Sequence, residues 1–311
     1  MLGVWLRRAV VGLAIFAVGP AFAIDWARVP GKDIVLFYPA QMSWELLLTQ
    51  ADHSGADKFR QGKNCQGCHG GEERASGKLM VTDKRAEPEP IAGKPGFILA
   101  KVKFAHDAER LYVNIAVTPG DQPDAGMDAD FLTKIAFMFD DGSVPEMTRG
   151  GCFAACHDDL ARMPSDGKSD RTKYLTESRS AMTRQGGDDH VKSDAELDAL
   201  RSAGVFLEYW QAKLNKDAPP VPAQGIVLAA RNTIKEPEVV ASGGFENGQW
   251  NLTLARKMDL GAPYKPIKSG KTYTFGISVH AGHTAKRFHY VSLENTMVLD
   301  SGNADFIAAA Q

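Results

Sequence analysis

Apolar and polar residues alternate in short runs through most of this chain, a pattern typical of strands that bury one face. Strands are expected at Ile34–Tyr38, Phe97–Phe104, Leu111–Val117, Phe131–Phe139, Gly225–Ala230, Val239–Ser242, Trp250–Ala255, Lys271–His280 and Phe288–Leu293. Gly, Asn and Pro punctuate these runs at short intervals, as turns do in antiparallel sheets. The pattern predicts a mainly β protein, an antiparallel β-sandwich of the carbohydrate-binding-module type with helical and loop insertions.

Helical patterns are confined to excursions between these strands. Ser193 and Glu196 have the spacing of a capping box, and the apolar positions that follow predict a helix reaching Trp210, with Gly204 as a candidate break. The stretch 84–96 holds three prolines among charges and is expected to be a surface linker. We therefore expect one domain over 24–311, with an insertion at about 50–82 and a helical excursion at about 152–220.

The first 23 residues have the order of a secretory signal peptide. Arg7 and Arg8 precede an apolar run, Ala9–Val18, and Ala21-Phe22-Ala23 has the small-x-small form of a cleavage site. The run is short for a bilayer span, so an uncleaved anchor is the lesser alternative, and no later stretch is long and apolar enough to span. We expect cleavage after residue 23 and a periplasmic protein.

Composition is that of an ordinary soluble domain, with 44% hydrophobic and 24% charged residues. The formal net charge is −2, and removal of residues 1–23 takes away two arginines and no acidic residue. A mildly acidic chain does not favour nucleic acid as a partner.

All four cysteines lie in two short motifs. In the first motif, Cys65-Gln66-Gly67-Cys68-His69, two thiols three positions apart precede a histidine. This spacing is typical of covalent haem c attachment, in which the thiols form thioethers and the adjacent imidazole binds iron. The second motif, Cys152-Phe153-Ala154-Ala155-Cys156-His157, is one residue longer. We expect two covalent haems, with His69 and His157 as proximal ligands.

Each motif also has a simpler interpretation. The first could be a small disulfide beside an incidental histidine, and the second could be a disulfide between Cys152 and Cys156. The extra residue of the second motif weakens its prediction, because it has to bulge from the attachment loop.

A haem that only carries electrons needs a sixth iron ligand. Six histidines remain outside the motifs: His53, His106, His190, His280, His283 and His289. We expect His283 or His289 opposite His157, with His280 as a further candidate, and His53 or His106 opposite His69. The thioether alternatives are Met80, Met138, Met147 and Met163, with Met138 expected in the core, and the candidate propionate partners are Arg256, Lys286 and Arg287.

Three stretches carry a family resemblance: Lys101–Asp107 leading into Leu111–Val113, Trp250–Arg256 and Tyr273–His280. They resemble the cytochrome c/DMSO-reductase-like haem-binding domains, the family of the ethylbenzene and dimethyl-sulfide dehydrogenase haem subunits. The resemblance implies a sandwich similar to carbohydrate-binding modules. In those subunits a methionine and a lysine hold a non-covalent haem b that takes electrons from a molybdenum enzyme. The two covalent motifs depart from that pattern and point to a c-type branch, so those two ligands are not carried over.

The expected function is that of a dihaem c-type cytochrome rather than an enzyme. It would pass electrons from a dehydrogenase, which the resemblance implies is of the molybdenum type, or from a quinol-side donor to another cytochrome. Two alternatives stay open: a haem enzyme with an open coordination site acting on peroxide, nitrogen oxides or sulfur compounds, and a redox- or ligand-sensing module. No catalytic triad, phosphate loop or hydrolytic metal motif is found in the sequence.

Overall fold

The computed structural model describes residues 24–40, 47–84, 86–154, 175–181 and 191–311. The predicted signal peptide lies outside the described residues, as do Cys156, His157, Met163 and His190.

Strands dominate the described part of the chain. Their bounds are β1 Gly31–Phe37, β2 Phe97–His106, β3 Arg110–Thr118, β4 Thr133–Asp140, β5 Leu207–Leu214, β6 Val221–Val227, β7 Arg231–Thr233, β8 Val240–Glu246, β9 Gln249–Lys257, β10 Tyr273–Ala281, β11 Tyr290–Val291, β12 Asn295–Leu299 and β13 Phe306–Ala310. They pair in the order β7-β6-β5-β4-β10-β11-β1-β2-β3-β9-β8.

This order folds into two facing layers, β7-β6-β5-β4-β10 and β1-β2-β3-β9-β8. Short β11 joins them by pairing with both β10 and β1. A second link runs through β12, which pairs with β10, and β13, which pairs with β2. Pairing is antiparallel except on the two sides of β13, where it is parallel. The predicted sandwich is confirmed.

Aromatic side chains fill the space between the layers. The ring centroids of Phe104 on β2 and Phe275 on β10 lie 4.9 Å apart in an edge-to-face arrangement, and Phe137 lies 5.2 Å from Trp210. Each side chain of this kind contributes roughly 2–3 kcal/mol on burial. The inward positions alternate along the strands, which is why the sequence pattern was informative.

A buried ion pair also connects the layers. Arg256 on β9 donates from Nη1 to both carboxylate oxygens of Glu208 on β5, at 2.8 and 2.9 Å, and both side chains are fully buried. Its Nη2 donates to the carbonyl of Lys265 at 2.7 Å. The expectation that Arg256 pairs with a haem propionate is therefore wrong, because its charge is already compensated inside the sandwich.

Five α-helices are described: α1 Ala56–Arg60, α2 Cys65–His69, α3 Glu73–Met80, α4 Pro145–Ala154 and α5 Asp194–Ser202. The first three lie between β1 and β2. None of the helices in the described ranges is long and apolar enough to cross a membrane.

The helix predicted from Ser193 is shorter than expected. The capping box between Ser193 and Glu196 is present, but the helix ends at Ser202, and Gly204 adopts the left-handed φ of 80°. Trp210, predicted to be helical, lies on β5 and is fully buried. Its apolar neighbours fit a strand that is buried on both faces, so helical spacing there was coincidental.

The predicted surface linker before β2 is also partly wrong. Glu87 is fully buried, where it accepts hydrogen bonds from the Tyr38 hydroxyl and, at 3.0 Å, from Nη2 of Arg287. Lys94 is 6% exposed. Glu87 therefore forms a buried polar contact with Tyr38, which follows β1, and with Arg287, which precedes β11.

A second apolar cluster covers the outer face of β4 and β10. It contains Phe59, Cys65, Met138, Met147 and Cys152, and we call it the outer cluster. Helices α1, α2 and α4 contribute to it, so both cysteine motifs meet the sandwich on this side.

Candidate functional site

The first motif forms helix α2. Its N-cap is Asn64, whose Oδ1 accepts a hydrogen bond from the Gly67 N–H at 3.0 Å. Capping of this kind compensates a backbone donor that the helix leaves open. Cys65 and Cys68 are one helical turn apart, with Cys65 buried and Cys68 exposed.

Two imidazole rings lie close together beside these thiols. The ring centroids of His53 and His69 lie 6.3 Å apart, with an interplanar angle of 34°. Two metal–nitrogen bonds of about 2 Å, together with the ring atoms on each side, span about 6 Å. The separation is therefore suitable for one iron ion between the two rings.

The orientation of both rings is fixed at Nδ1. His53 Nδ1 donates to the Leu47 carbonyl at 3.0 Å, and His69 Nδ1 lies 3.2 Å from a carboxylate oxygen of Glu72. An imidazole held in this way carries its lone pair on Nε2, the arrangement found in metal-binding histidines. Gly55 leaves room for the His53 ring, since a Cβ there would lie 3.0 Å from His53 Nε2. These residues fit a haem held by thioethers and two imidazoles.

An open cleft of about 190 Å³ adjoins the motif. It is lined by His53, Ser54, Gly55, Lys58, Phe59, Lys63, Asn64, Cys65, Cys68 and His69. Phe59 forms an apolar wall of this cleft, and the guanidinium of Arg149 lies over its ring, 5.3 Å from the ring centroid. Lys58 and Lys63 supply positive charge suitable for carboxylates of a bound group.

The second motif begins in helix α4 and packs on the outer face of β10. A Cβ on Gly276 would lie 2.6 Å from the backbone N and 2.7 Å from Sγ of Cys152. Gly151 has a left-handed φ of 56°, which kinks α4 immediately before Cys152. Burial raises the pKa of the Cys152 thiol to about 12, so this thiol is neutral in the folded chain.

One residue lies between the two motifs. Glu294 Oε1 accepts a hydrogen bond from the Gln66 N–H at 2.7 Å, next to Cys65. The backbone of Glu294 also packs closely against Gly151, the neighbour of Cys152: a Cβ added to Gly151 would lie 2.6 Å from the Glu294 backbone N. The two attachment segments are thus neighbours across a single residue, and Cys65 and Cys152 share the outer cluster.

Two of the candidate distal histidines are neighbours. The rings of His280 and His289 lie 4.8 Å apart, and each donates to the Lys286 carbonyl, from Nε2 at 2.9 Å and from Nδ1 at 2.8 Å. His280 lies on the same outer face of β10 as Gly276. The two positions are four residues apart, which at about 3.3 Å per residue separates them by about 13 Å along the strand. Burial, with the nearby His289 and Lys134, lowers the pKa of His280 well below its usual value. A neutral imidazole is the form that binds iron.

Other candidates lie away from both motifs. His106 ends β2, about 30 Å along the strand from Phe97 and α3, and its Nε2 bonds Asp300 at 2.7 Å. His283 Nδ1 bonds Asp124 at 2.9 Å.

Arg287, a predicted propionate partner, is buried against Glu87, whereas Lys286 is exposed. Met138 and Met147 are core members of the outer cluster.

Sequence reasoning missed three supporting groups: Glu294, Glu72 and the Leu47 carbonyl. Glu72 follows His69 by only three positions, across the end of α2, so this local contact could have been found. Glu294 lies 228 residues from Gln66, and the sequence carries no signal for that approach. Among the described residues, no group of three His, Cys, Asp or Glu side chains could hold a separate metal ion.

Comparison with known proteins decides the family. The chain is 32% identical over 307 residues to cytochrome c-552 of Stutzerimonas stutzeri, covering 97% of this chain and 96% of the relative. The chain therefore belongs to the c-type cytochromes. Cytochrome c-551 of Rhodocyclus tenuis is 28% identical over 292 residues, 93% of this chain and 100% of that protein. No protein-family model matches.

Membership accounts for the coarse features of the site. A c-type cytochrome holds haem c covalently and carries electrons between redox proteins, which confirms the predicted class of cofactor and activity. Bound haem would supply one-electron iron chemistry, and the residues placed to hold it at the first motif are Cys65, Cys68, His69 and His53. The narrower resemblance to dehydrogenase haem subunits stays a prediction.

Proposed function

We propose that this protein is a periplasmic dihaem cytochrome that relays single electrons from a dehydrogenase or quinol-side donor to another redox protein. The observation that carries the proposal is the close pair His53 and His69, 6.3 Å apart beside Cys65 and Cys68. In this assignment Cys65 and Cys68 bind the first haem, and His69 and His53 are its axial ligands.

The second haem is assigned to Cys152 and Cys156, with His157 as proximal ligand. Its support is the position of Cys152 on the outer face of β10, the face that also carries His280. His289, beside His280, is the other distal candidate. His283 is a weaker candidate, because its ring is engaged by Asp124.

The proximity of the two motifs favours electron relay within one molecule. Segments that meet across one residue would bring two attached haems close together, so an electron could enter at one and leave at the other. The exposed side of the first motif, with Cys68 and a half-exposed His69, is a suitable contact for a partner protein.

Intact mass of the exported protein, measured beside its reduced visible spectrum, tests the number of haems. A mass increase of two haems, with cleavage after residue 23, is the expected result. An increase of one haem would contradict the assignment to Cys152 and Cys156. No increase would contradict the whole proposal. Rapid carbon monoxide binding by the reduced protein would instead favour an open coordination site and enzyme chemistry.

His53→Ala tests the axial pair. We expect the first haem to remain attached but to become high-spin in the ferric state, because its sixth ligand is lost. The matched control is His106→Ala, which removes an equally partly buried histidine far from the motif and should leave the spectrum unchanged. An unaltered spectrum in His53→Ala would remove His53 as a ligand.

A further inference from the structure

Glu294 is a buried carboxylate with an unusual position. Its side chain is almost fully enclosed, at 3% exposure, in the outer cluster region between α2 and α4. Oε1 is satisfied by the Gln66 N–H at 2.7 Å, whereas Oε2 is buried without a hydrogen-bond partner among the described residues. Burying the ionised carboxylate with only one of its two oxygens hydrogen-bonded costs free energy, because the lost hydration of the charge is not fully replaced.

The surroundings favour the protonated form. Burial raises the pKa of Glu294 to about 7, and the negative charges of Asp305 and Glu73 add to this effect. The Gln66 N–H and the Glu294 backbone N–H act in the opposite direction on that pKa. From α2 the facing titratable group is Cys65, which loses its ionisable thiol on thioether formation. From α4 the backbone at Gly151 approaches the backbone of Glu294, and no ion pair to this carboxylate is found among the described residues.

A group that is half-protonated near neutral pH responds to a neighbouring change in charge. Gain of one electron at the adjacent attachment site adds one negative charge, which raises the energy of the Glu294 carboxylate and favours its protonation. Because linkage is reciprocal, protonation of the carboxylate makes electron gain easier by the same free energy.

We propose that Glu294 is the proton-exchange group of the first haem site. When that site accepts one electron from a redox partner protein, the Glu294 carboxylate takes up one proton from solvent, forming an O–H bond. When the electron passes on, that bond breaks and the proton returns to solvent. The inference rests on the proposed haem attachment at Cys65 and Cys68 and goes beyond it by coupling a proton to the electron.

The test is a spectroelectrochemical titration of the haem-loaded protein between pH 5 and 9. The wild-type midpoint potential should fall as pH rises through about 7, by at most 59 mV per pH unit, the one-electron equivalent of a tenfold change. Glu294→Gln keeps the shape and the acceptor for Gln66 but cannot exchange a proton, so its potential should be nearly independent of pH. Asp57→Asn, an exposed carboxylate on α1 with 65% side-chain exposure, is the control and should keep the wild-type slope.

Intact mass and an infrared difference spectrum provide two further readouts. Intact mass should show unchanged haem content in Glu294→Gln, and Glu294→Asp should restore a pH-dependent potential. The infrared difference spectrum between reduced and oxidised wild type should contain a protonated-carboxyl band that Glu294→Gln lacks. A haem-loaded wild type with a pH-independent potential, or a slope that persists in Glu294→Gln, would overturn this inference and leave the proposed function standing. A protein without haem at Cys65 and Cys68 would overturn both.

Discussion

In the folded chain the buried cysteines of the two motifs are poorly reactive, whereas the histidines at the first motif are already oriented to bind a metal. Burial raises the pKa of the Cys65 thiol to about 12, with added effects of Glu294 and Cys68, and Cys152 is similarly neutral. A neutral, buried thiol is a poor nucleophile. By contrast, His53 and His69 are already oriented by their Nδ1 hydrogen bonds. The folded chain is therefore better arranged to hold a haem than to acquire one.

Gly276→Ala is the sharpest test of how the second motif is positioned. The added Cβ would lie 2.6 Å from the Cys152 backbone N, so α4 has to move away from β10. We expect a loss of about 1–3 kcal/mol in the free energy of unfolding and reduced haem loading at Cys152. Denaturant titration and intact mass measure the two effects.

The control is Gly244→Ala on β8, where no heavy atom lies within 4 Å of the new Cβ. It should leave both quantities close to wild type. Equal behaviour of the two variants would show that Cys152 does not depend on its contact with β10.

At the scale of elements, the sequence predicts structure best where periodicity and local chemistry agree. Strands such as β3 and the start of α5 follow directly from alternation and from the capping box. Trp210 was misassigned because a strand buried on both faces loses the alternation that identifies strands. Glu87 was misassigned because its partner Arg287 is 200 residues away, which composition cannot reveal. The two cysteine motifs can be recognised in the sequence because their spacing is local, and haem attachment at these cysteines stays a prediction.

The Arg256–Glu208 pair is expected to be a main connection between the layers. Glu208 also accepts from Trp210 Nε1 at 2.8 Å and Gln224 Nε2 at 2.9 Å, so Arg256→Met leaves a buried, partly compensated carboxylate. We expect a loss of about 3–5 kcal/mol in the free energy of unfolding. Lys101→Met breaks the exposed Lys101–Asp33 pair and should change stability by about 0.5 kcal/mol or less. Similar losses in both variants would contradict a special role for the buried pair.

For the whole molecule, the buried amine of Lys94 predicts how stability depends on pH. Its Nζ has no hydrogen-bond partner in the described structure and lies 4.3 Å from the centre of the Tyr290 ring. Burial lowers the pKa of Lys94 from 10.5 to about 7. Between these values the unfolded chain binds a proton that the folded chain lacks, so this group makes stability rise with pH from about 7 to 10.5.

Lys94→Met should therefore stabilise the protein at pH 7, by roughly 2–4 kcal/mol, and the gain should shrink towards pH 10. Denaturant titrations at several pH values measure it, with exposed Lys101→Met as the reference for loss of one surface charge. A Lys94→Met protein that is less stable than wild type at pH 7 would show that the amine is compensated in the fold.

The hydrogen bond between Gln66 and Glu294 has a consequence for biogenesis. It joins positions 228 residues apart, and β13, the last strand, pairs with β2. Neither the contact between α2 and Glu294 nor the closure of the sheet can form until nearly the whole chain is available to fold, and such distant pairings form slowly. During that interval Cys65 is unburied and more reactive. Slow folding therefore leaves Cys65 accessible for haem attachment before it is buried. A chain truncated before Glu294 should still accept haem at the first motif but should not bury it.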